Sequence, residues 1–307
     1  MARWWLKAAA QGLISYLPGR QRLNYLAQRH LTRTLQPDRD EIRRKLLVCN
    51  KHIAYYHAIS GAKTLPPVVL ELGTGWFPIL PVGLFLSGAA QIYTVDIQNL
   101  LYRDYFRAML RVLADFSRDE LSGVLKSLDA ARLETLQALA AANLPVEATL
   151  AQMNITPIVT DAGALTLDKE PVGLILSNST LEHIPPDDLQ RIFARFRRLL
   201  AADGLMSHTI DTSDHYAHDD DRITPYNYLR FDDKTWRWFN NPLLYQNRLC
   251  SADYLQLHHA HEFELLALEQ FDHHADLLTG VKLARRFQGY SHDELSPTRL
   301  WMVSRLG

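Results

Sequence analysis

Two stretches of the chain hold the side chains best suited to moving a proton. The first is LILSNSTLEHI, Leu174 to Ile184, which sets Asn178, Ser179, Glu182 and His183 close together. Asn178 suits positioning an acceptor, and Glu182 or His183 suits taking a proton. The same two side chains would equally brace the helix expected after them. The second stretch, Ser207 to Phe231, is the densest polar run and contains His208, Asp211, Asp214, His215 and His218. A carboxylate beside a histidine orients the imidazole and raises its basicity, and histidine titrates near neutral pH. His215 is therefore the expected general base, with Asp211 or Asp214 orienting it; a polar loop whose acids cap turns is the alternative. Histidine and aspartate also ligate zinc, iron or manganese. The spacing matches no recognised zinc pattern, and the acids at 219 to 221 read as a solvated turn, so no metal is expected.

Such groups need a framework, and the framework is organised around VVLELGTGWFP, Val68 to Pro78. Apolar residues around Glu71, followed by Gly73 and Gly75, predict a buried parallel strand, a glycine turn and a helix. Glycine accepts positive φ and lets a ligand approach the backbone, so a nucleotide-like cofactor is expected there. A dinucleotide fingerprint would place a third glycine at 78 and no acid at 71. Pro78 and Glu71 instead suit a ligand with a positive charge, such as the amino group of S-adenosylmethionine. The next strand, QIYTVDI, ends in Asp96 at the spacing at which a doubly wound sheet offers a carboxylate to a ribose.

With these residues in place, the sequence resembles the class I S-adenosylmethionine-dependent methyltransferases. Glu71, Gly73 and Gly75 match the first motif of that family, with Phe77 in place of its usual third glycine, and Asp96 matches its ribose-binding acid. VTDAGAL puts Asp161 and Ala162 where the family contacts adenine, and LILSNSTLEHI is similar to its fourth-strand motif, with Gly173 where an Asp often stands. The resemblance covers roughly 65 to 100 and 155 to 307. It implies S-adenosylmethionine as cofactor, S-adenosylhomocysteine as product, and Glu71, Gly73, Thr74, Gly75, Asp96, Ile97, Asp161, Ala162 and Asn178 as cofactor-binding residues. His183 joins His215, Asp211 and Asp214 as a candidate catalytic group.

The expected fold is α/β: a doubly wound, seven-stranded, mostly parallel Rossmann-like sheet with an antiparallel edge strand. An N-terminal helical cap covers 1 to 64, and the cofactor-binding domain covers 65 to 307. Between Asp96 and ITPIV, three amphipathic helices at about 100–152 exceed what a minimal fold needs and are expected as a substrate cover or dimer surface. A second cover at about 211–250 is aromatic and basic; His208, Tyr226, Tyr228 and Arg230 are its expected substrate contacts. His52, Tyr55, Tyr56 and His57 in the N-terminal part would either line the mouth of the site or belong to the core.

With 307 residues, 47% of them hydrophobic, the chain can bury a large core. A net charge of −1 supplies no field for nucleic acid, so the partner is expected to be a small-molecule acceptor. Cys49 and Cys250 form no disulfide framework, which fits the cytoplasm. The first residues, with Trp4, Trp5 and Lys7, read as an amphipathic capping helix or as an interfacial helix in peripheral contact with a membrane. A homo-oligomer is compatible with the sequence. Methyl transfer to a hydroxyl is the leading expectation, with nitrogen methylation or a non-catalytic cofactor-binding subunit as alternatives.

Overall fold

The computed structural model describes residues 4–6, 8, 12, 37–218, 220–242 and 245–307. The expected N-terminal helical cap therefore lies partly outside the described residues. From Asp38 onward the local chemistry sets the boundaries. The Asp38 carboxylate accepts the Glu41 N–H at 3.1 Å and starts α1, Arg39–Ser60, and Gly61 ends it in the left-handed region. Seven strands follow: β1 Val68–Leu72, β2 Gln91–Asp96, β3 Ile155–Val159, β4 Val172–Asn178, β5 Leu200–Asp211, β6 Phe263–Phe271 and β7 Arg299–Leu306. They form one sheet in the order β3-β2-β1-β4-β5-β7-β6. β1 to β5 are parallel, and β7 runs antiparallel between β5 and β6. This is the Rossmann-like α/β architecture with an antiparallel pair at one edge.

Helices cover both faces, which is why the central strands read as nearly unbroken apolar runs. Val69, Ile92 and Leu174 pack with α1 and with α2, Ile79–Leu86. Leu70, Val95 and Ile175 face the other way, toward α7, Pro186–Leu199, and α8, Ser251–Ala260. Between β2 and β3 stand α3 Arg103–Ala114, α4 Arg118–Val124, α5 Ala130–Ala141 and α6 Val146–Gln152. The fourth helix of this group, opened by Pro145, has only seven residues and two turns of pattern to announce it. The group packs Phe106, Leu121, Leu136 and Leu150 into the α1–α2 face. Among the described residues of the expected stretch at about 100–152, Leu100 lines the cavity at the ends of the strands and none of 103–152 does.

Asp187 or Asp188 would suit the cap of α7, and Asp203-Gly204 its end, yet the chain uses neither. Asp187 and Asp188 lie in the first turn of α7 and do not cap it; Pro185 holds the cap position. Asp203-Gly204 does not end that helix, which stops at Leu199, but lies within β5 opposite a register shift between Val172 and Leu174. Residues 272–298 add three short helical turns between β6 and β7 that periodicity did not reveal. They supply Leu278, Phe287 and Leu295 to a third core with Tyr216, Tyr226, Tyr228 and Trp236. Trp4 packs on that core, its ring 4.8 Å from Phe239, and its N–H donates to Asp220 at 2.8 Å. No described helix is long and apolar enough to cross a membrane.

Candidate active site

The strand order reverses between β1 and β4, and a crevice opens at their carboxyl ends, where open α/β sheets take ligands. A cavity of about 720 Å³ occupies it. At its floor the Gly73 N–H donates to Val95 O at 2.8 Å with φ at +94°. A Cβ on Gly73 would lie 2.3 Å from Thr180 Oγ1, so the glycine turn and the loop after β4 interlock only without a side chain. Gly75, at φ +61°, donates its N–H to Asp96 Oδ2 at 3.0 Å, and Gln98 donates to Oδ1 at 3.0 Å. Each carboxylate oxygen can accept a further bond, so Asp96 ties two loops together and keeps acceptor capacity toward the cavity.

Glu71, 3% exposed, accepts the Thr94 hydroxyl at 2.6 Å, and the Thr74 and Thr94 hydroxyls lie 2.6 Å apart. Burial pushes the Glu71 carboxyl up to about 8, against the Thr94 hydrogen bond and the Lys45 charge, with Asp96 adding to the rise. At the other end, Asp161 accepts from the Gly163 N–H at 2.8 Å and from Arg191 at 2.7 Å. The Arg191 hydrogen bond holds that carboxyl below its ordinary range. Ile97, 66% exposed, and Ala162 supply apolar wall. Glu71, Gly73, Thr74, Gly75, Asp96, Ile97, Asp161, Ala162 and Asn178 all line this single cavity.

The loop after β4 brings in the polar group. Ser179 takes φ +48°, and a short 3-10 turn, Leu181–His183, follows. His183 is exposed and lines the cavity. Its Nδ1 lies 2.8 Å from Tyr245 O, a carbonyl that can only accept, so Nδ1 carries the proton and Nε2 is the basic nitrogen. The His215 ring lies 5.0 Å from it, and Asp211 Oδ2 is 3.8 Å from His215 Nε2 and 3.6 Å from His218 Nε2. Glu182 is buried behind them, accepts the Asp211 N–H through Oε1 at 3.2 Å, and is pushed well above its ordinary range by burial.

Several expected site residues stand elsewhere. His215 is not among the cavity-lining residues; it lies behind His183. Asp214 does not orient it: its carboxylate accepts from Asn227 at 2.9 Å and from the Tyr216 N–H at 2.9 Å, and burial raises it to about 6. His208 falls on the α7 face of β5, where Ser177 Oγ lies 2.8 Å from Nδ1 and Phe196 stacks at 6.5 Å, and no residue of β5 lines the cavity. Tyr226 and Tyr228 are buried in the third core, their hydroxyls donating to Ser296 O and Thr212 O. Arg230 is exposed and outside the cavity. These four are corrected from substrate contacts to structural and surface positions. Of the described residues at 211–250, Pro242 and Tyr245 reach the cavity.

In the N-terminal part, His52 is buried against Ser207 Oγ at 2.7 Å, and Tyr55 donates to Glu269. The residues of α1 that do line the cavity are Glu41 and Lys45. Their 3.3 Å ion pair at i,i+4 reads from sequence as an ordinary surface pair. Trp76, stacked on Tyr102 at 5.6 Å, and Thr180 also escaped the sequence reading, although Trp76 lies inside the organising motif. Gly173, where an acid was expected by resemblance, packs against Pro66: a Cβ there would lie 2.3 Å from Pro66 Cβ.

No protein-family model matches the chain, and no curated protein matches it. Among solved structures, the chain is similar to magnesium protoporphyrin IX methyltransferase from Synechocystis with bound S-adenosylhomocysteine, at 12% identity and a TM-score of 0.45, over 86% of this chain and 83% of that one. It is similar to geranyl diphosphate C-methyltransferase from Streptomyces coelicolor at 11% identity and a TM-score of 0.47, over 83% and 78%. A third is an S-adenosylmethionine-dependent methyltransferase from Clostridium acetobutylicum, at 12% identity and a TM-score of 0.45, over 94% and 100%. At these levels no activity passes from those proteins to this chain.

Proposed function

We propose that the chain is an S-adenosylmethionine-dependent methyltransferase acting on a hydroxyl oxygen of a small molecule. The observation that carries this reading is that two acids at adjacent strand ends, Glu71 and Asp96, line one crevice with an interlocked glycine turn between them. A buried carboxylate at the turn suits an ammonium group, and Asp96 suits a pair of ribose hydroxyls; the close backbone at Gly73 and Gly75 leaves room for the chain joining them. The donor set and the volume fit this cofactor. When bound, it supplies a methyl group on a positively charged sulfur, electrophilic without covalent help from the protein.

The chain's own residues then bind, orient and handle a proton. Glu71 would hold the amino group and Asp96 the ribose, with Ile97, Asp161 and Ala162 available to the base. His183 presents Nε2 to the cavity and takes the acceptor's proton, with His215 and Asp211 behind it. Trp76 and Tyr245 line the remaining space as flat walls for an organic acceptor. A neutral amine needs no base, which is why the His183 arrangement favours oxygen. Two buried free cysteines are compatible with placement in the cytoplasm.

The test is calorimetric titration with S-adenosylhomocysteine and, separately, NAD. Binding of the former alone is expected, abolished in Asp96→Ala and retained in His183→Ala with turnover lowered by about 100-fold or more. Preference for NAD, or binding of neither, overturns the reading.

A further inference from the structure

We propose that Glu182, His183 and His215 form a binding site for one divalent transition-metal ion at the edge of the cavity. One potential ligand atom from each lies within 4.8 Å of the others, on two separate segments that the ends of β4 and β5 bring together. Ligands sharing one ion at about 2.1 Å lie roughly 3–4 Å apart, so filling the site draws these side chains together by about 1 Å. Two imidazoles and a carboxylate are the donor set of zinc, manganese, iron or cobalt, not of the oxygen-only cations.

A second observation points to a ligand independently. Glu182 is 1% exposed, and while its Oε1 accepts the Asp211 N–H, its Oε2 is buried with no hydrogen-bond partner among the described residues. A buried carboxylate oxygen left unpaired costs free energy that a cation would offset. The surroundings are those of a ligand set held from outside. His183 has its Nδ1–H fixed on Tyr245 O, which aims Nε2 away from that contact, and Asp211 stands 3.8 Å from His215 Nε2 as an outer carboxylate. His183 lines the cavity, so an ion here is reachable by an acceptor bound in it.

The role of the ion, unlike the site itself, rests on the function proposed above. An acceptor hydroxyl that ligates the ion loses its proton to solvent more readily. The oxygen then forms its bond to the methyl carbon as the carbon–sulfur bond breaks, and S-adenosylhomocysteine leaves. In that state His183 serves as a ligand instead of as the base.

The test uses the full chain, freed of metal by a chelator and titrated with Co²⁺ alone while its visible absorption is followed. One ion per chain is expected, with affinity at least about tenfold weaker in His183→Ala, in His215→Ala and in Glu182→Gln. Because Glu182 is buried, thermal melting accompanies each variant, and the exposed His183 provides the variant least able to disturb folding. Absence of saturable binding at about millimolar Co²⁺, or binding that survives all three substitutions, overturns the site. S-adenosylhomocysteine titrated into the same sample separates the two proposals. Metal bound without this ligand supports the site and sinks the cofactor reading; the ligand bound without metal does the reverse.

Discussion

Under the proposed function, the Glu71 carboxyl, raised to about 8 by burial, would give cofactor recognition a pH dependence. A folded-state value above the unfolded one means the native protein holds a proton that the unfolded chain has lost, so Glu71 favours folding at low pH. That contribution fades as pH rises from the ordinary carboxylate range to about 8. A bound ammonium restores a partner to the ionised form. S-adenosylhomocysteine affinity should therefore rise between about pH 6 and 8, by up to about tenfold per pH unit, with proton release detectable in buffers of different ionisation enthalpy. Glu71→Gln should flatten the profile. Gly73 makes a steric prediction at the same scale. With φ at +94° and Thr180 Oγ1 2.3 Å from an added Cβ, Gly73→Ala should cost about 1–3 kcal/mol in urea unfolding and weaken ligand binding further. Thr180→Ala in that background should recover part of the loss, because the steric share is relieved and the backbone share remains.

The aromatic and basic segment between β5 and α8 packs into a third core that it shares with Leu278, Phe287 and Leu295. Arg248, 3% exposed, donates to Tyr228 O at 3.2 Å and Phe231 O at 2.6 Å, pairs with Asp233, and lies 5.1 Å from the Trp236 ring. It links four residues of one segment through a planar, multiply donating group that a lysine would not replace. Arg248→Met should lose on the order of 3 kcal/mol and raise hydrogen exchange across 226–250 first, measured by mass spectrometry. Equal exchange across the whole sheet would deny the segment its separate cooperativity. From sequence this arginine belongs to a basic cover expected to face the ligand; burial turned it inward.

At the scale of the whole molecule, stability and ligand binding should separate, because the helices between β2 and β3 pack on a sheet face and not over the crevice. Leu136→Ala removes a fully buried side chain from that layer and should cost about 2–5 kcal/mol in urea unfolding. S-adenosylhomocysteine affinity should change by less than about threefold, because no described residue of 103–152 lines the cavity. The strand sequence, the glycine turn, and the acids Glu71 and Asp96 were all legible in the chain, since near-continuous apolar runs, positive-φ glycines and strand-end carboxylates leave local patterns. Local chemistry of the same kind starts α1 at Asp38 and stops it at Gly61. They did not distinguish the two faces of β5, so His208 read as a ligand contact although its side chain belongs with Phe193 and Phe196. They did not show which aromatics of 211–250 meet one another, because that depends on Phe287 and Leu295 arriving from beyond β6. Sequence alone determined the class of sheet and the acids at its switch point, both consequences of neighbouring residues. Only the tertiary structure brought His183 to His215 and set Glu182 behind them, because contacts between segments far apart in the chain depend on the packing of the whole sheet.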